Sequence, residues 1–144
     1  MQNKDKYYIR EQQSIADIPI DTINLFIYSY EITLNRLEFF QSFSELKRIE
    51  IGNECFQHVR EFVIDGLESL ESVKIGEKCF RISEKERDDG ICRITNCPNL
   101  RQLEMGDNSF IDFKSFELSN LNSIQSINFG DDCFLYADFS LKGE

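Results

Sequence analysis

Four stretches of this 144-residue chain share one pattern. Leu46-x-x-Ile49-x-Ile51-Gly52-x-x-Cys55-Phe56 returns as Leu70-x-x-Val73-x-Ile75-Gly76-x-x-Cys79-Phe80. It returns again as Leu100-x-x-Leu103-x-Met105-Gly106-x-x-Ser109-Phe110, and as Ile124-x-x-Ile127-x-Phe129-Gly130-x-x-Cys133-Phe134. The first positions, 46, 70, 100 and 124, are 24, 30 and 24 residues apart. A period of this size marks stacked supersecondary units, none of which can bury its apolar face alone. Packing repeat on repeat leaves an extended surface where a globular enzyme would have a pocket.

Each repeat holds two short apolar patterns. In the first, period-2 alternation turns Ile49 and Ile51 to one side and Arg48 and Glu50 to the other. The glycine that follows predicts a sharp corner at positive φ. The second pattern reads Phe62-Val63-Ile64-Asp65-Gly66-Leu67, then Cys92-Arg93-Ile94-Thr95-Asn96-Cys97, then Phe116-Glu117-Leu118-Ser119-Asn120-Leu121. Its fifth place, always Gly or Asn, predicts a second turn. A final copy, Phe139-Ser140-Leu141-Lys142-Gly143, arrives one residue early. Two strands and two corners per unit leave little room for helix.

The N-terminal part fits more loosely. A 24-residue step back from Ile49 and Ile51 reaches Leu25 and Ile27, and from Ile64 and Leu67 it reaches Phe40 and Phe43. Tyr28 stands where the marker glycine would be, so this repeat is degenerate, as terminal repeats are. Residues 1–17 read as a polar capping helix or a loose segment, and Ile18-Pro19-Ile20 as an extended edge. The 30-residue interval carries six extra residues in the charged run Ser83–Gly90. That run predicts an exposed loop near residues 82–91, either a neutral excursion or a partner contact. The organisation expected is an N-terminal flank over 1–21 and a repeat array over 22–144.

The elements Leu-x-x-Ile-x-Ile-Gly-x-x-Cys-Phe and Asn96-Cys97-Pro98-Asn99-Leu100-x-x-Leu103 resemble leucine-rich repeats. They are closest to BspA-like and related protist leucine-rich repeat arrays, which carry an Ile-Gly-x-x-Ala-Phe element. The resemblance covers roughly residues 22–143 and implies a β-rich solenoid, a right-handed coil of parallel strands with about five 24-residue repeats and little helix. It also implies use in protein recognition. Gly stands where better-known leucine-rich repeats carry Asn after the first strand, and no long helical side is present.

Charge narrows the partners. With 26 acidic and 16 basic residues the formal charge is −10, which argues against nucleic acid and against anionic membrane surfaces. No apolar run reaches the roughly 20 residues of a membrane span. The first eight residues lack a secretory apolar stretch, and a cytoplasmic protein is expected. Of five Cys, Cys55, Cys79 and Cys133 share the repeat position that Ser109 fills in the third copy. They read as buried thiols, with a disulfide between neighbouring repeats as the alternative.

No nucleophile elbow, phosphate-binding loop or paired-ligand metal motif occurs, so no enzymatic activity, cofactor or metal is expected. His58, the lone histidine, reads as a solvated corner residue. The candidate binding groups are surface ladders. One runs Phe26, Glu50, Lys74, Glu104, Asn128; another runs Asn24, Arg48, Ser72, Gln102, Ser126. They form either a solvated salt ladder or a recognition face, with Glu50, Lys74 and Glu104 able to pair sideways. A corner ladder, Asn53, Glu77, Asp107 and Asp131, either solubilises the corner or docks a basic segment of a protein partner. The function expected is a non-catalytic protein-protein interaction module. The alternative is a structural, self-assembling piece stacking end to end through an open C-terminal edge.

Overall fold

A computed structural model describes residues 5–10, 15–29 and 34–142, the last four of these by their backbone. It contains eleven strands: β1 (Lys6–Ile9), β2 (Asn24–Ile27), β3 (Arg36–Phe39), β4 (Arg48–Ile51), β5 (Glu61–Asp65), β6 (Ser72–Ile75), β7 (Ile91–Thr95), β8 (Gln102–Met105), β9 (Ser115–Ser119), β10 (Ser126–Phe129) and β11 (Asp138–Lys142). From β2 onward, successive strands alternate between two sheets. Sheet A has the order β1-β2-β4-β6-β8-β10 and sheet B the order β11-β9-β7-β5-β3, and every pairing described is parallel. Helix is limited, among the described residues, to two short 3-10 segments, Ile15–Asp17 and Glu84–Asp89.

The apolar positions of the repeat fill the space between the sheets. Leu46, Leu70 and Leu100 are fully buried, as are the inward residues of β2 to β8, with Ile51, Ile75 and Met105 in adjacent register. Phe129, next in that column, is half-buried because β10 is an edge strand. The repeated Phe makes a continuous pile. Phe56 and Phe80 stack at 5.4 Å, Phe80 and Phe110 at 4.5 Å, and Phe110 and Phe134 at 4.7 Å. Parallel ladders bring equivalent residues within about 5 Å, close enough for ring-on-ring contact. Eight Phe are buried in this core and Phe43 and Phe129 pack against it partly buried, while Phe40 is exposed.

The marker glycines are not where the chain takes positive φ. That expectation is corrected: the left-handed residues are Glu54, Lys78, Asn108 and Asp132, two places later, and Phe56, Phe80, Phe110 and Phe134, four places later. The turns use these conformations to aim backbone N–H groups along the stack. Glu54 donates to Glu77 O at 2.8 Å, Lys78 to Asp107 O at 2.9 Å and Asn108 to Asp131 O at 2.8 Å. Phe80 donates to Cys55 O and Phe110 to Cys79 O, each at 3.1 Å. Left-handed backbone is unfavourable for an aromatic residue, and burial of the ring in the Phe pile offsets it. The glycines answer a different need. A Cβ at Gly106 would lie 2.7 Å from Glu77 N and Gly76 C, and one at Gly76 2.9 Å from Gly52 C. Backbone touches backbone there, with no space for a side chain. The second corner matches expectation, with positive φ at Gly66, Asn96 and Asn120.

Three further expectations change. Residues 6–9 are neither helix nor loose but form β1, in register with β2 through Tyr7–Leu25 and Ile9–Ile27. Among the described residues of that flank, only Ile15–Asp17 is helical, as a single 3-10 turn. In the degenerate repeat, Leu37 and Phe39 oppose Phe62 and Ile64, so the step is 25 residues and not 24. A one-residue shift exchanges the faces of a strand, which leaves Phe40 exposed and Phe39 buried. The inserted run is not a free bulge. Glu84–Asp89 is laid over its neighbours by Arg60–Glu86 and Arg60–Asp89 contacts at 3.9 and 3.7 Å, Lys114–Asp88 at 3.4 Å, and Arg87 on Asp112 at 2.7 Å. Arg87 also lies 3.7 Å from the Tyr136 ring centroid. The expected corner at Gly143 falls outside the described residues, while β11 does pair one residue early, Ser115 with Asp138 against Ile91 with Ser115.

The two kinds of glycine environment predict different costs. Gly106→Ala must push apart the backbones of adjacent repeats and is expected to destabilise by about 2 kcal/mol or more. Gly52→Ala meets the exposed Tyr28 ring, which can swing aside, and is expected to cost under about 1 kcal/mol. Urea denaturation of both variants checks the order.

Candidate functional site

Alternation along β2, β4, β6, β8 and β10 sends every second side chain out of sheet A. The strand register places these in two rows. The first is Lys6, Asn24, Arg48, Ser72, Gln102, Ser126; the second is Tyr8, Phe26, Glu50, Lys74, Glu104, Asn128. Arg48, Glu50, Lys74, Gln102, Glu104 and Asn128, the strand-face candidates, are thus brought together on one surface. The lateral pairing is narrower than expected. Lys74 Nζ contacts Glu104 at 3.8 Å, while Glu50 is taken by Arg48 Nη2 of its own strand at 3.3 Å and by the Tyr28 hydroxyl. These pairs are exposed, so each contributes little to stability. Between them lies a depression of about 270 Å³ lined by Arg48, Ser72, Val73, Lys74, Gln102, Leu103, Glu104 and Ser126. Its shape follows from side-chain size: Ser72 is short where Arg48 and Gln102 on either side are long.

At the β1 end the face becomes aromatic. Tyr8 and Phe26 stack at 4.9 Å, and Phe26 and Tyr28 at 6.4 Å. Arg10 lies 4.7 Å over Tyr8 and Arg48 5.6 Å over Phe26, within the range of cation–π attraction. Tyr28 occupies the place of the marker glycine and covers Gly52. Burial, then its hydrogen bond to the Glu50 carboxylate, pushes the Tyr28 hydroxyl up to about 12. Sequence reasoning missed Tyr8, Arg10 and Tyr28. The signal was there: Tyr7 and Ile9 alternate with Lys6 and Tyr8, but over four residues only, in a stretch that reads as polar.

The corner candidates separate into two kinds. Asn53 Oδ1 accepts the Glu77 N–H at 2.8 Å, and Asp107 Oδ1 accepts the Asp131 N–H at 2.7 Å. Asp107 therefore ties one repeat to the next, which supplies a structural reason for a carboxylate at that corner. The side chains of Glu77 and Asp131 are exposed.

The shared Cys/Ser position is likewise a connector. Cys79 Sγ and Cys133 Sγ each lie 3.0 Å from a glycine carbonyl of the preceding repeat, Gly52 O and Gly106 O, and Ser109 Oγ donates to Gly76 O at 2.8 Å. Ser109 also accepts the Cys79 N–H at 3.1 Å. A thiol or a hydroxyl fills the place because each can donate one hydrogen bond. All five cysteines are free thiols, and Cys55, Cys79, Cys92 and Cys97 are buried. Burial pushes Cys55 up to about 11 and Cys79 up to about 12, from an ordinary value of 9.0.

Among the described residues, no group of three or more His, Cys, Asp or Glu side chains is placed to hold a metal ion, and no helix is long and apolar enough to cross a membrane. His58 is exposed. No protein-family model, characterised protein or solved structure matches the chain.

The raised thiols fix the sign of an alkaline effect. A thiol that ionises less readily when folded stabilises fully below its unfolded value, and that stability is lost as pH rises toward the folded value. Denaturation midpoints are expected to be flat up to about pH 8 and to fall between about pH 9 and about pH 11. The fall should be smaller in Cys79→Ser, which keeps a hydrogen-bond donor but does not titrate there.

Proposed function

We propose that the chain is a leucine-rich-repeat-like solenoid that acts as a protein-protein interaction module, without catalysis or cofactor, through the outer face of sheet A. The observation that carries this reading is the pair of side-chain rows in strand register, with the depression at Ser72 between them. Side chains mounted on a parallel sheet are held at fixed spacing, so a partner meets them with little ordering cost. The charged groups of the depression pair with their neighbours, Lys74 with Glu104 and Arg48 with Glu50 beside it, and converge on no single reacting point. The acidic corner is the weaker candidate for a basic segment, because Asp107 is already occupied within the fold. Five free thiols fit a reducing compartment, the cytoplasm being the setting proposed.

One observation favours a second reading, end-to-end assembly. β10 is an edge of sheet A, and the apolar Ile127, Leu135 and Tyr136 at that end are 45%, 54% and 49% exposed. An edge strand with apolar neighbours is a template for another strand. Sedimentation showing a monomer at high concentration removes this reading.

A photo-crosslinking residue at Gln102 is expected to trap a discrete protein from cell extract, whereas one at Glu117 on sheet B should not. Combined Glu50→Lys, Lys74→Glu and Glu104→Lys should abolish the adduct. Identical adducts from both positions, or an adduct indifferent to the triple reversal, contradict the proposal.

A further inference from the structure

The outer face of sheet A differs in charge from the chain that carries it. The chain is acidic, with a formal charge of −10. Among the described residues, the two rows of this face hold three cations, Lys6, Arg48 and Lys74, against two carboxylates, Glu50 and Glu104. Both carboxylates are held by the face's own groups, Glu50 by Arg48 and Tyr28 and Glu104 by Lys74. Arg48 contacts Glu50 through Nη2, and a guanidinium carries five donors in all. A locally cationic face on an anionic protein attracts an anionic ligand to one orientation, while the remaining surface repels it from others.

The aromatic groups lie beside those cations. Tyr8 is 37% exposed and Tyr28 42%, and both are stacked through Phe26 into an aromatic shelf. The shelf adjoins the depression, since Arg48 covers Phe26 and lines the depression as well. Ser72 and Gln102 supply neutral hydrogen-bonding groups at its floor and wall.

We propose that this surface binds an extended acidic peptide segment of a partner protein. Carboxylates of the segment pair with Arg48 and Lys74 across the Ser72 depression, and adjoining apolar residues rest on the Tyr8–Phe26–Tyr28 shelf. The proposal rests on the reading of sheet A as an interaction face and names the ligand for it. Single-stranded nucleic acid also uses rings and cations. Its phosphates, however, recur at every nucleotide and would run past the face toward the acidic corner of Glu54, Glu77, Asp131 and Asp132. A peptide can confine its charge to the length of the depression.

The test is fluorescence anisotropy on the whole chain with a labelled peptide, Leu-Leu-Pro followed by a run of glutamates. Saturable binding is expected, weakening with added salt. Arg48→Glu and Lys74→Glu should each weaken it by about tenfold or more, and Tyr8→Ala should weaken it too. Arg93→Glu, on sheet B, should leave it unchanged. These side chains are exposed or at the surface, and circular dichroism melting verifies the fold of each variant. The proposal is overturned by absence of saturable binding, by equal loss in Arg93→Glu, or by tighter binding of oligouridylate or of the lysine counterpart of the peptide. If the lysine peptide binds and is lost in Glu50→Lys, the acidic ligand is wrong while sheet A remains an interaction face. Loss of that broader reading would show instead in the crosslinking comparison of Gln102 with Glu117.

Discussion

Backbone contact between repeats is the constraint on which the rest of this structure depends. Parallel strands about 5 Å apart can form a continuous stack only if the corners follow at the same spacing. At the corner after sheet A, the chain passes so close to the preceding repeat that Gly76, Gly106 and Gly130 have no space for a Cβ. The carbonyls of Gly52, Gly76 and Gly106 then accept from Cys79, Ser109 and Cys133. Left-handed Glu54, Lys78 and Asn108 turn their N–H groups toward the next repeat, and left-handed Phe80 and Phe110 turn theirs toward the preceding one. The corner is in effect a third hydrogen-bonded surface joining the two sheets. Buried backbone groups need partners, and this arrangement supplies them without helix.

Much of this was legible in the chain, and the failures have identifiable causes. Strand positions and outward rows followed from alternation, because a period of two leaves no ambiguity once the repeat is aligned. Asn96 and Asn120 signalled their turns because few other residues tolerate that conformation. The marker glycines misled, since glycine answers both to positive φ and to close approach, and sequence alone does not separate the two. The left-handed Phe residues gave no local sign at all. Their conformation is set by the pile of rings in the core, a tertiary cause.

The candidate surface was legible only in its middle. Arg48, Glu50, Lys74, Gln102, Glu104 and Asn128 lie in repeats that carry the full pattern, so their common face could be read directly. The aromatic shelf could not, because β1 lies 18 residues before β2, Lys6 against Asn24, and the intervening chain does not repeat. Phe26 stood in the outward row yet proves 9% exposed, covered by Tyr8, Tyr28 and Arg48. An aromatic residue on an outward strand position is sheltered by its neighbours in the adjacent strands, which depends on register across three of them. The corner acids show the reverse case: Asp107, read as surface charge, is a connector.

Amide hydrogen exchange tests the central claim most directly, because two amides make the distinction on their own. Lys78 and Asn108 lie in turns, with Lys78 exposed, yet their N–H groups donate to Asp107 O and Asp131 O in the next repeat. If the corners stack as the sheets do, both amides exchange as slowly as those of β6 and β8, through the same cooperative opening. Exchange at the rate of an unprotected loop, with the strands still protected, would mean that the repeats are joined by their sheets alone.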